Sequence, residues 1–258
     1  MDVTETVRAL YPRLIEGDIG VLSCFCEKAT VDSPLGGKQL PPEFVAETRA
    51  WLARHDARTD ELRTMVTPQR VIHELTLTLS VDGKECELPV MLVADVTGTG
   101  DAPDECIRDL RIYHSTWPLY GSHEVRHPVL SRYNLAERPA EPVGTYHEAL
   151  SAGDAKAADG VFAPDGTVRE PAGSAYTHAG ADRTAWYERI LSDGGIQLHL
   201  GTITDDGETV VFEFMVDRWG SESLPHQAGA AAYTRGPDGK LVSARIYDDV
   251  TPPASIST

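Results

Sequence analysis

Hydrophobic and polar positions in the second half of the chain alternate with a period of two over long runs, the signature of strands with two distinct faces. Ile196–Thr204, Glu208–Trp219, His226–Thr234 and Lys240–Asp249 are expected strands, broken at Asp205-Asp206-Gly207 and at Gly236-Pro237-Asp238-Gly239. In the last of them Val242, Ala244, Ile246 and Asp248 share one face, and Leu241, Ser243, Arg245, Tyr247 and Asp249 the other. The run from His226 to Ala232 is rich in glycine and alanine, poor strand formers, which points to close backbone approach or to space left for a ligand. His226 would share a face with Ala228, Ala230 and Ala232. Upstream, the spacing predicts a helix, a glycine that ends it, an aspartate that caps a second helix, a short strand over Thr167–Glu170, and a third helix over Asp182–Ser192.

The first half says nearly the same thing. Gly17-Asp18 matches Gly153-Asp154, Thr30-Val31-Asp32-Ser33-Pro34 matches Thr167-Val168-Arg169-Glu170-Pro171, and Arg111-Ile112-Tyr113 matches Arg245-Ile246-Tyr247. Its short strand is Ala29–Asp32 and its third helix runs about Pro42–His55, with Trp51 placed as Trp186 is in the other copy. Turns are expected at Asp82-Gly83 and over Thr97–Gly100. A repeat this long is a duplicated domain, since solenoid periods are only ~20–50 residues. The expected division is a first domain at 1–116, a proline-rich extended linker at 117–141 partly packed down by Trp117, Tyr120 and Tyr133, a second domain at 142–252, and a tail at 253–258.

Charge narrows the partners. The chain carries 40 acidic and 23 basic residues, a formal net charge of −17, which argues against nucleic acid and anionic membrane. No apolar stretch approaches a membrane span and the first residues lack a secretory pattern, so a soluble, cytoplasmic protein is expected. Cys24, Cys26, Cys86 and Cys106 all lie in the first copy and are expected as reduced thiols, because a structural bridge should recur in both copies. No zinc spacing or phosphate loop occurs, and His123 and His127 precede Pro128 in a poor helix, so neither metal nor cofactor is expected.

The order of these motifs resembles the nuclear-transport-factor-2-like superfamily, and within it the ketosteroid isomerase and SnoaL-like polyketide cyclase branches. The resemblance implies an α+β architecture: two tandem cone-shaped domains, each with three helices packed on a strongly bent antiparallel sheet, joined as an intramolecular pseudo-dimer, with a homodimer of the chain also conceivable. It also implies a cofactor-independent enzyme acting by general acid–base chemistry on a small hydrophobic carbonyl compound of polyketide type. The reaction would be an isomerisation, cyclisation or dehydration. A non-catalytic binder of the same fold, or an epoxide hydrolase-like activity, are the alternatives.

Carried onto this sequence, the family's general base falls at Glu170 and its oxyanion-donating tyrosine at Tyr146. The family's second oxyanion donor, a neutral aspartic acid, falls near Ala230–Ala232, where no carboxyl exists. In the first copy the two positions hold Ser33 and Leu10, with Asp32 and Tyr11 adjacent but displaced, so chemistry is expected in the second copy. SnoaL-like cyclases also draw an acidic residue and a histidine from the sheet. That adds Asp248, with His114 standing in the first copy where Asp248 stands in the second, and the place of His226 at the head of the glycine- and alanine-rich strand makes it a further acid–base candidate. Tyr176, Trp186, Ala230, Ile246, Trp219 and His114 are the expected ligand contacts.

Overall fold

In the first half, Asp2 caps helix α1 (Val3–Arg8) by accepting from the Thr4 N–H at 2.9 Å, and α2 (Leu10–Glu16) ends at Gly17, which adopts a left-handed φ of 83°. Asp18 then accepts from the Gly20 N–H and opens a 3₁₀ turn (Gly20–Cys24), shorter than the α-helix expected there. Strands β1 (Phe25–Ser33) and β2 (Gly37–Gln39), helix α3 (Pro41–Arg54), strands β3 (Arg58–Thr67), β4 (Arg70–Val81), β5 (Lys84–Thr97) and β6 (Cys106–Tyr113), and the helical turn α4 (Trp117–Tyr120) complete it. The computed structural model describes residues 2–97, 105–134 and 138–254; the turn expected over Thr97–Gly100 lies outside these beyond Thr97.

The second half repeats the pattern. Helix α5 (Val143–Ala152) ends at left-handed Gly153, and Asp154 caps α6 (Ala155–Gly160) through the Ala157 N–H at 2.9 Å. Then come β7 (Phe162–Arg169), β8 (Thr177–Ala179), α7 (Gly180–Ile190), β9 (Ile196–Asp205), β10 (Thr209–Trp219), β11 (Glu222–Arg235) and β12 (Leu241–Tyr247). The chain divides into two compact units after Gly121. Within the segment read as a linker, α4 belongs to the first unit, where the Cys86 thiol donates to the Pro118 carbonyl. Residues 122–134 belong to the second: the Ala228 N–H donates to the Arg126 carbonyl, and Asn134 bridges to Leu200.

The strand order is β2-β1-β6-β5-β4-β3 in one sheet and β8-β7-β12-β11-β10-β9 in the other. This corrects the expected sheet. Each is an open, six-stranded, mixed sheet, because β1 runs parallel to β6 and β7 parallel to β12, and neither is strongly bent. Alternation along a strand fixes which side chains share a face; it does not say which neighbour a strand pairs with or how far the sheet curves. Departures from regular pairing are local register shifts, such as Glu61/Arg63 in β3 and Val216/Arg218 in β10.

The cores follow the registers. In the second domain Val210, Phe212, Phe214 and Val216 of β10 stand beside Tyr233 and Ala231 of β11 and Ala244 of β12, and the helices supply Tyr146, Leu150, Trp186, Tyr187 and Ile190. The first core is aliphatic, with Leu75, Leu77, Leu88, Val90 and Leu92 under Leu10, Leu14, Phe44 and Leu52. A disulfide joins Cys26 to Cys106, which overturns the expectation of reduced thiols for that pair; Cys24 and Cys86 keep the thiol form expected of them. The repeat argument missed it because β1 and β6 are parallel neighbours, with Phe25 opposite Ile107, so the two cysteines meet across the ladder.

Candidate functional site

Glu170 stands one residue past β7, where Pro171-Ala172-Gly173 turns the chain back. Gly173 takes a φ of 108°, a conformation that favours glycine. The Glu170 N–H donates to the Tyr176 carbonyl at 3.0 Å, which fixes the loop. Its carboxylate Oε1 receives the Trp186 indole N–H at 3.0 Å and faces His178 Nε2 at 2.6 Å. His178 Nδ1 in turn faces Asp182 Oδ2 at 2.7 Å, and the His178 ring stacks on Trp186 with centroids 5.2 Å apart. Both ring nitrogens therefore meet carboxylate oxygens. A chain Asp182–His178–Glu170 results, clamped by one indole.

Asp248 follows β12 on the same face as Ala244 and Ile246, opposite Gly229 and Phe214. The residue keeps some accessible surface, yet its carboxyl is enclosed by protein. Enclosure pushes its pKa up to about 7, the charges of Asp249 and Glu170 push the same way, and the Val250 N–H and His123 pull against them. Next to this carboxyl lies Tyr233, whose phenol is raised by burial and by the charges of Tyr146 and Asp248. Tyr146 is 1% exposed and packs against Phe162, Tyr187 and Tyr233, with ring centroids 5.3 to 6.1 Å away. Its hydroxyl accepts from the Tyr187 hydroxyl at 2.9 Å, and burial holds the phenol far above its usual pKa.

Among the residues expected from sequence, Glu170, Trp186, Asp248 and Ile246 lie on one face of this domain. Tyr146 reaches them through Tyr233 and through Tyr187, whose ring packs on Trp186 at 4.9 Å between centroids, inside a packed aromatic cluster. Three placements depart from expectation. His226 is exposed, its Nε2 4.0 Å from Asp217, which is already paired with His199 at 2.8 Å. Ala230 pairs with Glu213 and so faces away from Phe212, Phe214 and Tyr233; the alternation was read correctly, but the inward set is Gly229, Ala231 and Tyr233. Trp219 donates its indole N–H to the Ile190 carbonyl at 2.8 Å, tying β10 to the end of α7. Tyr176 is 39% exposed and contributes its backbone, while His114 is buried in the first domain.

His178 and Asp182 were not anticipated. Their spacing of four, with histidine eight residues past Glu170, was the available signal. His123 was weighed only as a metal ligand; its Nδ1 lies 2.8 Å from Asp249, beside the acid. Among the described residues no group of three or more His, Cys, Asp or Glu could hold a metal ion, and no helix is long and apolar enough to cross a membrane.

Residues 143–244 match the SnoaL-like domain family. No curated protein matches the chain. Similar solved structures include SalBIII, an epoxide hydrolase/cyclase-like enzyme of pyran ring formation in the polyether salinomycin (19% identity, 41% of this chain and 85% of that one, TM-score 0.35). Another is a Catenulispora acidiphila protein of ketosteroid isomerase-like fold in complex with trimethylamine (22%, 47% and 94%, TM-score 0.35). A third is TerC co-crystallised with polyporic acid (19%, 43% and 90%, TM-score 0.36). The second domain is thus similar to the SnoaL-like domain family over residues 143–244, and the first domain repeats its strand order.

Proposed function

We propose that the second domain catalyses proton transfer next to a carbonyl group, with Glu170 as base and Asp248 as acid. One observation carries this reading: a carboxyl with a pKa near 7 lies within electrostatic reach of a second carboxylate that is held by an indole and an imidazole. In the proposed step, Glu170 takes a proton from the carbon beside the carbonyl. The electron pair moves to the carbonyl oxygen, which Asp248 stabilises by donating its proton or a hydrogen bond. Return of the proton to a different carbon completes an isomerisation, and attack by the enolate on an electrophile in the same molecule completes a cyclisation. A neutral Asp248 does the work of the acid missing from Ala230–Ala232. Ile246, Phe214 and Trp186 favour a hydrophobic substrate of the kind a polyketide supplies.

The test is hydrogen–deuterium exchange at the α carbon of 2-tetralone in deuterated buffer, followed by proton NMR. The protein should accelerate exchange, and Glu170→Gln should cost at least about 10²-fold, the usual contribution of a general base. Equal rates with the wild-type protein and the variant would sink the proposal. A role without turnover is the second reading, favoured by the packed Tyr146–Phe162–Tyr187–Tyr233 cluster, which fills the interior where a substrate would otherwise lie.

A further inference from the structure

Two titratable side chains beside Asp248 take no part in the proposed proton transfer. β12 pairs with β11 as far as Ala230 and Tyr247, and the chain then leaves the ladder through Asp248 and Asp249. Beyond that pair the segment read as a linker meets β11: the Ala228 N–H donates to the Arg126 carbonyl at 2.7 Å. A few residues upstream the same segment grips Asp249. His123 Nδ1 lies 2.8 Å from Asp249 Oδ1, and the Glu124 N–H donates to Asp249 Oδ2 at 2.9 Å. Asp249 is 4% exposed, and both of its carboxyl oxygens are engaged by this clasp.

This placement sets opposing charges around Asp248. Ionised Asp249, its neighbour in the chain, favours retention of the Asp248 proton, and a protonated His123 favours its release. Asp249 has the larger effect, and Glu170, in the turn after β7, adds to it. On the sheet side Asp248 meets Gly229 of β11, itself against the Phe214 ring of β10, and Tyr233, which burial keeps as a neutral phenol. The Val250 N–H donates to Asp248 Oδ1 at 3.4 Å. The titratable groups around the acid are therefore Asp249, Glu170, Tyr233 and His123, and of these four His123 alone can carry positive charge.

We propose that His123 and Asp249 are positioning residues of the second-domain site, and that the pair governs how tightly Asp248 holds the proton it donates. The inference rests on the reading of Asp248 as the acid. It gives a task to a segment that lies upstream of the residues similar to the SnoaL-like family. The pair acts through Asp248 and need not touch substrate. Its leverage comes from enclosure: away from bulk water a neighbouring charge is poorly screened, and one such charge moves a carboxyl by about 1–3 pH units.

The test is a carbon-13 NMR titration of the full chain labelled at its aspartate carboxyl carbons, with the Asp248 signal identified by its absence in Asp248→Asn. Asp249→Asn should lower the Asp248 midpoint by about one pH unit, because the larger of the two opposing charges is removed. His123→Gln keeps a hydrogen-bonding side chain but no charge, and should raise the midpoint by about half a unit. The pH profile of 2-tetralone exchange should move in the same direction as the midpoint in each variant. A segment that merely excludes water predicts a fall in both variants, since unfastening either side of the clasp admits solvent. Shifts of the same sign, or midpoints unchanged in both, would overturn the proposal. If Asp249→Asn does not fold, His123→Gln decides alone: a raised midpoint supports the proposal and any other result overturns it. Opposite shifts without exchange catalysis by the wild-type protein would leave this inference standing and remove the catalytic reading of Asp248.

Discussion

Asp248 lies against the backbone of Gly229 so closely that a β-carbon at position 229 would fall 2.7 Å from the Asp248 β-carbon and 2.5 Å from the Phe214 ring. The weak strand former in β11 is therefore what admits the acid. Gly229→Ala should destabilise the second domain by about 1–3 kcal/mol, the cost of overpacking a filled site. It should also displace Asp248, so proton transfer should fall further than the melting temperature alone would suggest. Unchanged stability, measured by denaturant titration, would show that Phe214 and Asp248 can yield.

The pH dependence of stability has a definite sign. The Asp248 carboxyl titrates near 7 in the folded protein, above the ~4 of an unfolded aspartate. The folded state thus keeps a proton that the unfolded state gives up. The associated stability is fully present below about pH 4 and is lost as pH rises through about 7, by at most about 4 kcal/mol. Asp248→Asn should remove this loss, so the stability difference between variant and wild type should grow in the variant's favour from pH 4 to 7. Parallel curves from thermal melts across that range would contradict the burial of this carboxyl.

His178 should act through Glu170. His178→Gln leaves the indole bond from Trp186 but breaks the link to Asp182, so Glu170 loses part of its fixed orientation. Exchange catalysis should drop about tenfold, short of the loss in Glu170→Gln, and its pH profile should shift. A rate and profile identical to wild type would reduce His178 to a packing residue.

The disulfide closes a long loop, with the two cysteines 80 residues apart. Cys26→Ser should cost about 2–4 kcal/mol, and the loss should fall on the first domain. Reduction of the wild-type protein should reproduce it. If two thermal transitions are resolved, only one should move.

Asp95 offers a further check on that domain. Burial works to raise its carboxyl, but the bonds and charges of Arg111 and Arg70 outweigh burial and hold it below the usual range. Asp95→Ala would strand a guanidinium that is 4% exposed as a residue, at a cost of about 3–5 kcal/mol by urea titration.

Much of the architecture was legible from local chemistry. Gly17, Gly153 and Asp154 announced the helix ends because left-handed backbone and capping oxygens need those residue types. The extents of β9 and β10 were legible because alternation is a local property, whereas β1 and β7 begin well before the short strands expected at Ala29 and Thr167. Parallel pairing of β1 with β6 and β7 with β12 was not, since it depends on where distant segments return. The same distinction separates Glu170 from His178. Glu170 occupies a marked turn, whereas His178 acquires meaning only when β8 folds back beside β7 and brings its ring to the carboxylate. The disposition of Ala230 failed by one step: a strand's parity is visible in sequence, but which parity looks inward is settled by its neighbours.

The bridge at Asn134 has a consequence for association. β9 is an edge strand, and Asn134 exchanges both backbone hydrogen bonds with Leu200, at 2.7 and 3.1 Å. That contact occupies the edge at its midpoint, where an incoming strand from another molecule would have to register. β3, the corresponding edge of the first sheet, instead shows Leu62 and Val66 about half exposed, at 50% and 53%. Protection against runaway strand addition is therefore uneven between the two sheets, and self-association under stress should begin along β3.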